Sequence, residues 1–199
     1  MTSLDLDLTL VTTATSRPTT QRVPRRSYDF ALVVGAWAVA VIAAWAFPVD
    51  DPQLHRAALF IHLMSMAIGF GAVIMVDVYG LMWLFGFRTL ANMVELTTVA
   101  HTVIAVGVGG LLASGIALNP NLSSPLSRFK MGLVLVLMLN GVAAQRMLHR
   151  MRKALPPDTR GGNIPWSGFQ RMLAAAMISQ STWWGSIAIG FITNANRHS

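Results

Sequence analysis

The sequence predicts an all-α integral membrane protein, built as a bundle of five transmembrane helices. Of its 199 residues, 54% are hydrophobic and only 12% are charged, against about 25% charged in an ordinary soluble domain. Five apolar windows are long enough to cross a hydrocarbon core of about 30 Å as helices. These windows lack the strict alternation of a β-barrel, and lipid cannot satisfy open backbone groups, so we expect helices.

The predicted spans cover about residues 29–48, 56–87, 97–118, 130–149 and 168–194. The first ends at Pro48, because proline cannot continue a helix. The second would be about 48 Å long, so it must tilt or leave the membrane. The third is rich in small residues, which favour close packing of membrane helices; its four-residue ridge comprises Ala105, Gly109 and Ala113.

The fourth predicted span begins at Lys130 and leaves the membrane in the basic segment QRMLHRMRK. The fifth contains a polar segment, SQSTWWGS, at residues 179–186. Within it Trp184 lies one turn beyond Gln180, which favours a polar contact between helices, with a ligand-facing patch as the alternative.

The basic residues predict the orientation of the chain. Eleven of the 15 lysines and arginines fall on one side of the predicted spans. By the positive-inside rule, the N-terminus is cytoplasmic and the C-terminus is external, in a bacterial inner membrane. Residues 1–28 are rich in Thr, Ser and Arg and predict a disordered cytoplasmic tail; residues 196–199 form a short external tail.

Several functional classes are disfavoured. The net charge of +7 is accounted for by topology, so we expect no nucleic-acid partner. The chain has no cysteine, which excludes disulfides and thiolate metal sites. No nucleotide-binding loop, nucleophile triad or carboxylate pair is present, so we expect no enzymatic activity.

Ionisable residues inside the second span are the strongest functional signal. An ionisable group in hydrocarbon costs roughly 2.5 to 3.5 kcal/mol on insertion scales, so His62 and Asp77 should face a partner, a cavity or a ligand. They lie about 22 Å apart along the helix and cannot share one metal ion. If the hairpins are symmetric, Asp77, His101 and His149 lie at similar depth near the inner leaflet.

Four interpretations of these residues remain open. Asp77 and His101 can form a structural polar contact between helices. His62 with Met66 one turn away can bind Cu(I), which favours imidazole and thioether ligands. His101 and His149 can ligate a b-type haem from both faces. Asp77 and His101 can also form a proton relay.

The segment IHLMSMAIGFGAVIMVDVYG, a histidine opening the third span and the later FKMGLVLVLMLN resemble a group of small bacterial membrane proteins. These proteins are similar to the membrane domain of the copper-resistance protein D (CopD) family, and the resemblance covers about residues 55–150. It implies a role in copper movement, with His62 and Met66 as an outward-facing copper site. The positions it singles out are His62, Gly69, Gly71, Asp77, His101 and Lys130.

We therefore expect a CopD-like protein that binds copper or helps to move it across the membrane. In this expectation Asp77, His101 and Lys130 form polar or proton-linked positions. The alternatives are a haem-binding redox subunit and a non-catalytic subunit that binds other helices. The expected partners are the lipid bilayer, a copper ion, and a membrane protein or a second copy of the chain.

Overall fold

The computed structural model describes residues 28–195, which form helices and turns without a strand in that range. The predicted tails lie outside the described residues, except for Tyr28, which begins the first helix. The helices are α1 (Tyr28–Ala46), α2 (Pro52–Leu84), α3 (Leu90–Ala117), α4 (Pro125–Ala154) and α5 (Trp166–Ala195), with a short 3-10 helix at Gly161–Asn163.

Four helices, α1 to α4, are long and apolar enough to cross a membrane. The all-helical prediction and a membrane location are therefore supported. The polar segment at residues 179–186 lowers the hydropathy of α5, which is 30 residues long but does not join these four.

Capping residues make α2, α3 and α4 begin earlier than hydrophobicity predicts. The Asp51 carboxylate accepts a hydrogen bond from the backbone N–H of Gln53 at 2.8 Å, and Pro52 occupies the first turn of α2. Thr89 caps α3, which begins at Leu90, seven residues before the predicted start of the third span. Pro125 in the first turn starts α4 five residues before Lys130, without a capping hydrogen bond from the Ser124 side chain. Caps set helix ends, whereas hydropathy reports only the part in lipid.

Glycines bring α2 and α3 into backbone contact. A Cβ atom on Gly107 would lie 2.6 Å from the Cα of Gly69 and 2.9 Å from the carbonyl oxygen of Ser65. One turn further along α3, Gly110 packs directly against the Ser65 side chain. The α2–α3 pair is the most extensive helix contact of the fold, as expected for small residues in membrane helices.

The small-residue ridge predicted for the third span lies on a different face from the contact that forms. Ala105, Gly109 and Ala113 are exposed, whereas Gly107 and Ser114 are buried. Both faces of α3 carry small residues, so their spacing alone does not select the one that packs.

Two clusters of buried apolar side chains hold the bundle together. One lies beside the α2–α3 turn and contains Trp83, Leu90, Met93 and Val94. The other lies midway along the helices and joins α2, α4 and α5 through Val73, Leu137 and Trp183. The rings of Phe70 and Trp183 pack with their centroids 5.5 Å apart.

Side-chain hydrogen bonds fasten the loops at each end. At what we call the Asn119 end, the Asn119 amide donates to the carbonyl of Val49 at 2.6 Å and accepts from its N–H at 2.8 Å. At the opposite, Gly161 end, Trp83 Nε1 donates to the carbonyl of Thr159 at 2.9 Å. Gly161 packs against the backbone of Leu84, where no side chain would fit.

Substituting Gly107 by Ala tests the close contact of α2 and α3. The added methyl group forces the helix backbones apart, and overpacking of this kind costs about 1 to 3 kcal/mol. We expect a lower unfolding midpoint for the detergent-purified variant in a circular dichroism melt. Gly109→Ala is the matched control, because a Cβ there meets no atom within 4 Å; equal midpoints for the two variants would contradict this packing.

Candidate functional site

Polar side chains within the helices form two separate groups. The first, which we call the polar seam, lies towards the Asn119 end and consists of His62, Ser114, Lys130 and Ser186. The second, which we call the Asp77 group, lies towards the Gly161 end and consists of Asp77, Gln180 and Trp184.

His62 is held by α3. Its Nδ1 lies 3.0 Å from the Ser114 hydroxyl oxygen, and that hydroxyl donates its single hydrogen to the carbonyl of Gly110 at 2.5 Å. The Ser114 oxygen must then accept, so Nδ1 of His62 is the donor. In a neutral imidazole this leaves the lone pair on Nε2, the atom available to a ligand.

Lys130 of α4 lies in the same region. Its Nζ is 3.8 Å from the position of a Cβ on Gly190 of α5, so the ammonium group lies against α5. Lys130 lies near the start of α4 and His62 in the first half of α2, so both lie towards the Asn119 end of the bundle. Among residues 28–195, no carboxylate forms an ion pair with Lys130.

Two buried donors on α5 have no hydrogen-bond partner. They are Nε1 of Trp183, whose side chain is only 2% exposed, and the hydroxyl of Ser186. Residues 183, 186 and 190 are three and four positions apart and share one face of the helix. Buried donors of this kind normally bond to protein or to ordered water, so the seam offers hydrogen-bond donors for which the described chain supplies no acceptor.

Met66 lies one turn from His62 but belongs to apolar packing. It contacts the cluster formed by Val73, Leu137 and Trp183. No three histidine or carboxylate side chains converge as a metal-binding group anywhere in residues 28–195. Copper binding by His62 and Met66 stays a prediction.

The Asp77 group joins α2 to α5. Nε2 of Gln180 donates to Oδ2 of Asp77 at 2.6 Å, and Oε1 of Gln180 accepts from Nε1 of Trp184 at 3.1 Å. The two bonds fix the orientation of the amide, because the indole can only donate and the carboxylate accepts. The polar helix contact predicted for the 179–186 segment is present here.

His101 and His149 take no part in either group. Nδ1 of His101 lies 2.9 Å from the carbonyl of Thr97 on its own helix, whereas Asp77 bonds to Gln180 instead. His149 is exposed on α4. The structure gives Asp77 a partner on α5 rather than on α3.

Sequence reasoning missed Ser114, although it lies at the depth of His62 in the hairpin of α2 and α3. Ser186 and Trp183 belong to the polar segment predicted at residues 179–186. Their individual positions could not be predicted, since these depend on the contact of α5 with helices that are distant in sequence.

No protein-family model, curated protein or solved structure matches this chain.

Replacing Gln180 by Leu should destabilise the bundle. The change removes the Gln180 amide that donates to the half-buried Asp77 carboxylate, and such bonds contribute about 1 to 2 kcal/mol. We expect a lower midpoint in a thermal melt of the detergent-purified chain. Ser181→Leu, at an exposed position next along α5, is the control and should leave the midpoint close to that of the parent.

An Asp77→Asn change in the Gln180→Leu background completes this test. It removes the charge that Gln180 would otherwise solvate, so it should recover part of the lost stability. No recovery would mean that Gln180 acts through packing alone.

Proposed function

We propose that this chain is a multi-pass inner-membrane protein that binds a small anion in the polar seam. The observation that carries the proposal is the Lys130 ammonium group, which lies between α4 and α5 with no carboxylate partner among the described residues. A charged group in the membrane interior usually pairs with an opposite charge or lines an aqueous cavity.

Asp77 cannot supply the missing negative charge. It lies 15 residues from His62 along α2, which corresponds to about 22 Å, and its carboxylate bonds to Gln180. A bound anion would offset the cost of placing Lys130 in a region of low dielectric constant.

The unpartnered donors favour an anion over a metal cation. Lys130 and Ser186 of the polar seam offer N–H and O–H groups, which bind oxyanions, carboxylates or halides. The positive charge of Lys130 also opposes a metal cation in the same seam, because like charges repel. A small inorganic anion or a short carboxylate fits this donor set.

The proposal includes five membrane crossings. α5 is 30 residues long, or about 45 Å, and it packs along α4 and also contacts α2. Its polar residues Gln180 and Trp184 bond within the bundle, which supports a span despite their polarity. With the N-terminus cytoplasmic, as the basic residues predict, the seam lies nearer the external face.

A Lys130→Met variant tests anion binding. We would melt the purified full-length chain in sodium chloride, nitrate, acetate or phosphate, with sodium gluconate as the reference at equal ionic strength. An anion at ten times its Kd should stabilise the parent by about 1.4 kcal/mol, and Lys130→Met should abolish that gain. Arg128→Gln, which removes an exposed cation two residues away, should retain it.

Two outcomes would overturn the anion proposal. One is the absence of saturable stabilisation by any of the four salts, and the other is its persistence in Lys130→Met. If Lys130→Met does not fold, Ser186→Ala supplies the same test, because it removes one donor while leaving the charge in place.

The copper and haem hypotheses have their own test on the same sample. Nε2 of His62 is free for Cu(I), and Nδ1 of His101 donates to a carbonyl, which leaves its Nε2 free for haem iron. Copper binding predicts stoichiometric metal that is lost in His62→Ala. Haem binding predicts a Soret band that is lost in His101→Ala. A colourless chain that takes up no added Cu(I) would exclude both.

A further inference from the structure

A groove at the Gly161 end of the bundle is the basis of a second proposal. This proposal depends on the membrane location of the chain and does not depend on anion binding. It lies between the first turns of α3, the last turn of α4 and the loop that follows, and it encloses about 500 Å³. The residues that matter for its chemistry are Leu90, Val94, Glu95, Val99, Arg152 and Leu155.

The groove lies where α3 enters its apolar segment. Thr89 caps α3 and Glu95 is exposed one and a half turns later, just before the apolar run predicted from residue 97. Leu155 ends α4 on the opposite side. The groove therefore opens at the boundary between lipid and water, the depth at which phospholipid headgroups lie.

The two sides of this groove carry side chains of opposite charge. Glu95 belongs to α3 and Arg152 to α4, and both side chains are exposed. They form no ion pair with each other or with another side chain of the described range. The two walls thus offer one free carboxylate and one free guanidinium group to the same occupant.

The surface between the charges is apolar and continues into the membrane. Leu90 and Val94 are buried at its base. Val99, one turn beyond Glu95, is 63% exposed and extends the apolar surface in the direction of the bilayer. An occupant that combines two opposite charges with an apolar chain matches all three features.

We infer that this groove binds a phospholipid with a zwitterionic headgroup that ends in a primary amine. Arg152 binds the phosphate through charge-assisted hydrogen bonds. Glu95 accepts hydrogen bonds from the ammonium group, and an acyl chain lies along Val94 and Val99. A choline headgroup has the same charges but no N–H donor, so Glu95 distinguishes the two lipids. An anionic lipid would meet repulsion from Glu95.

The experiment uses the full-length chain in detergent, titrated with palmitoyl-oleoyl phosphatidylethanolamine, phosphatidylcholine or phosphatidylglycerol. Native mass spectrometry reports the fraction of protein that retains one lipid. We expect retention of the ethanolamine lipid to exceed that of the choline lipid about three- to fivefold, the range of one exposed ion pair. Glu95→Gln should reduce this ratio to about one, and Arg152→Gln should weaken both lipids.

Two neighbouring charges outside the groove provide matched controls. Asp158→Asn removes another exposed acid at the same end, and Lys153→Gln removes the cation next to Arg152; neither should change the ratio. A parent chain without preference for the ethanolamine lipid would overturn the inference. So would tightest binding of the glycerol lipid with equal losses in Arg152→Gln and Lys153→Gln, because that pattern indicates general attraction to the basic end.

Discussion

The backbone contact between Gly69 and Gly107 is the constraint on which the rest of the structure depends. With no Cβ on either residue, α2 and α3 approach until Ser65 lies against α3, and one turn further His62 meets Ser114. The open surface over Gly69 also receives the ring of Trp183, which lies 3.2 Å from a Cβ position there. A bulkier pair would separate the hairpin and remove the surface of α2 that receives Trp183.

α5 is the helix that connects the two polar groups. Near its middle Gln180 bonds to Asp77 of α2, and two to three turns later Gly190 lies beside the ammonium group of Lys130 of α4. Between these points lies the indole of Trp183, packed in the central cluster. The polar segment that lowers the hydropathy of α5 is therefore the part that contacts its neighbours. Its Gln180 and Trp184 side chains bond to protein groups, Gln180 to Asp77 and Trp184 to Gln180.

Hydropathy predicted the number and order of the helices because lipid demands long apolar segments with closed backbone hydrogen bonds. Hydropathy placed the starts of α3 and α4 too late, since the Thr89 cap and Pro125 in the first turn of α4 act through local geometry outside the apolar run. Comparing residue depths relates only consecutive helices. It therefore predicted His101 as the partner of Asp77 and could not predict Gln180, which is 103 positions from Asp77. The face of α3 that packs against α2 could not be predicted either, because small residues occupy both faces of the helix.

The bond pair between Asn119 and Val49 bears on how the protein is assembled. The two residues are 70 positions apart, and Asn119 follows α3 in the chain. During synthesis the loop after α1 cannot bond to Asn119 until α2 and α3 have been made. The hairpin of α2 and α3, by contrast, forms between segments that are adjacent in sequence. Local contacts form at lower entropic cost than distant ones. The α2–α3 hairpin is thus the natural first stage of assembly, and α1 is secured to it only afterwards.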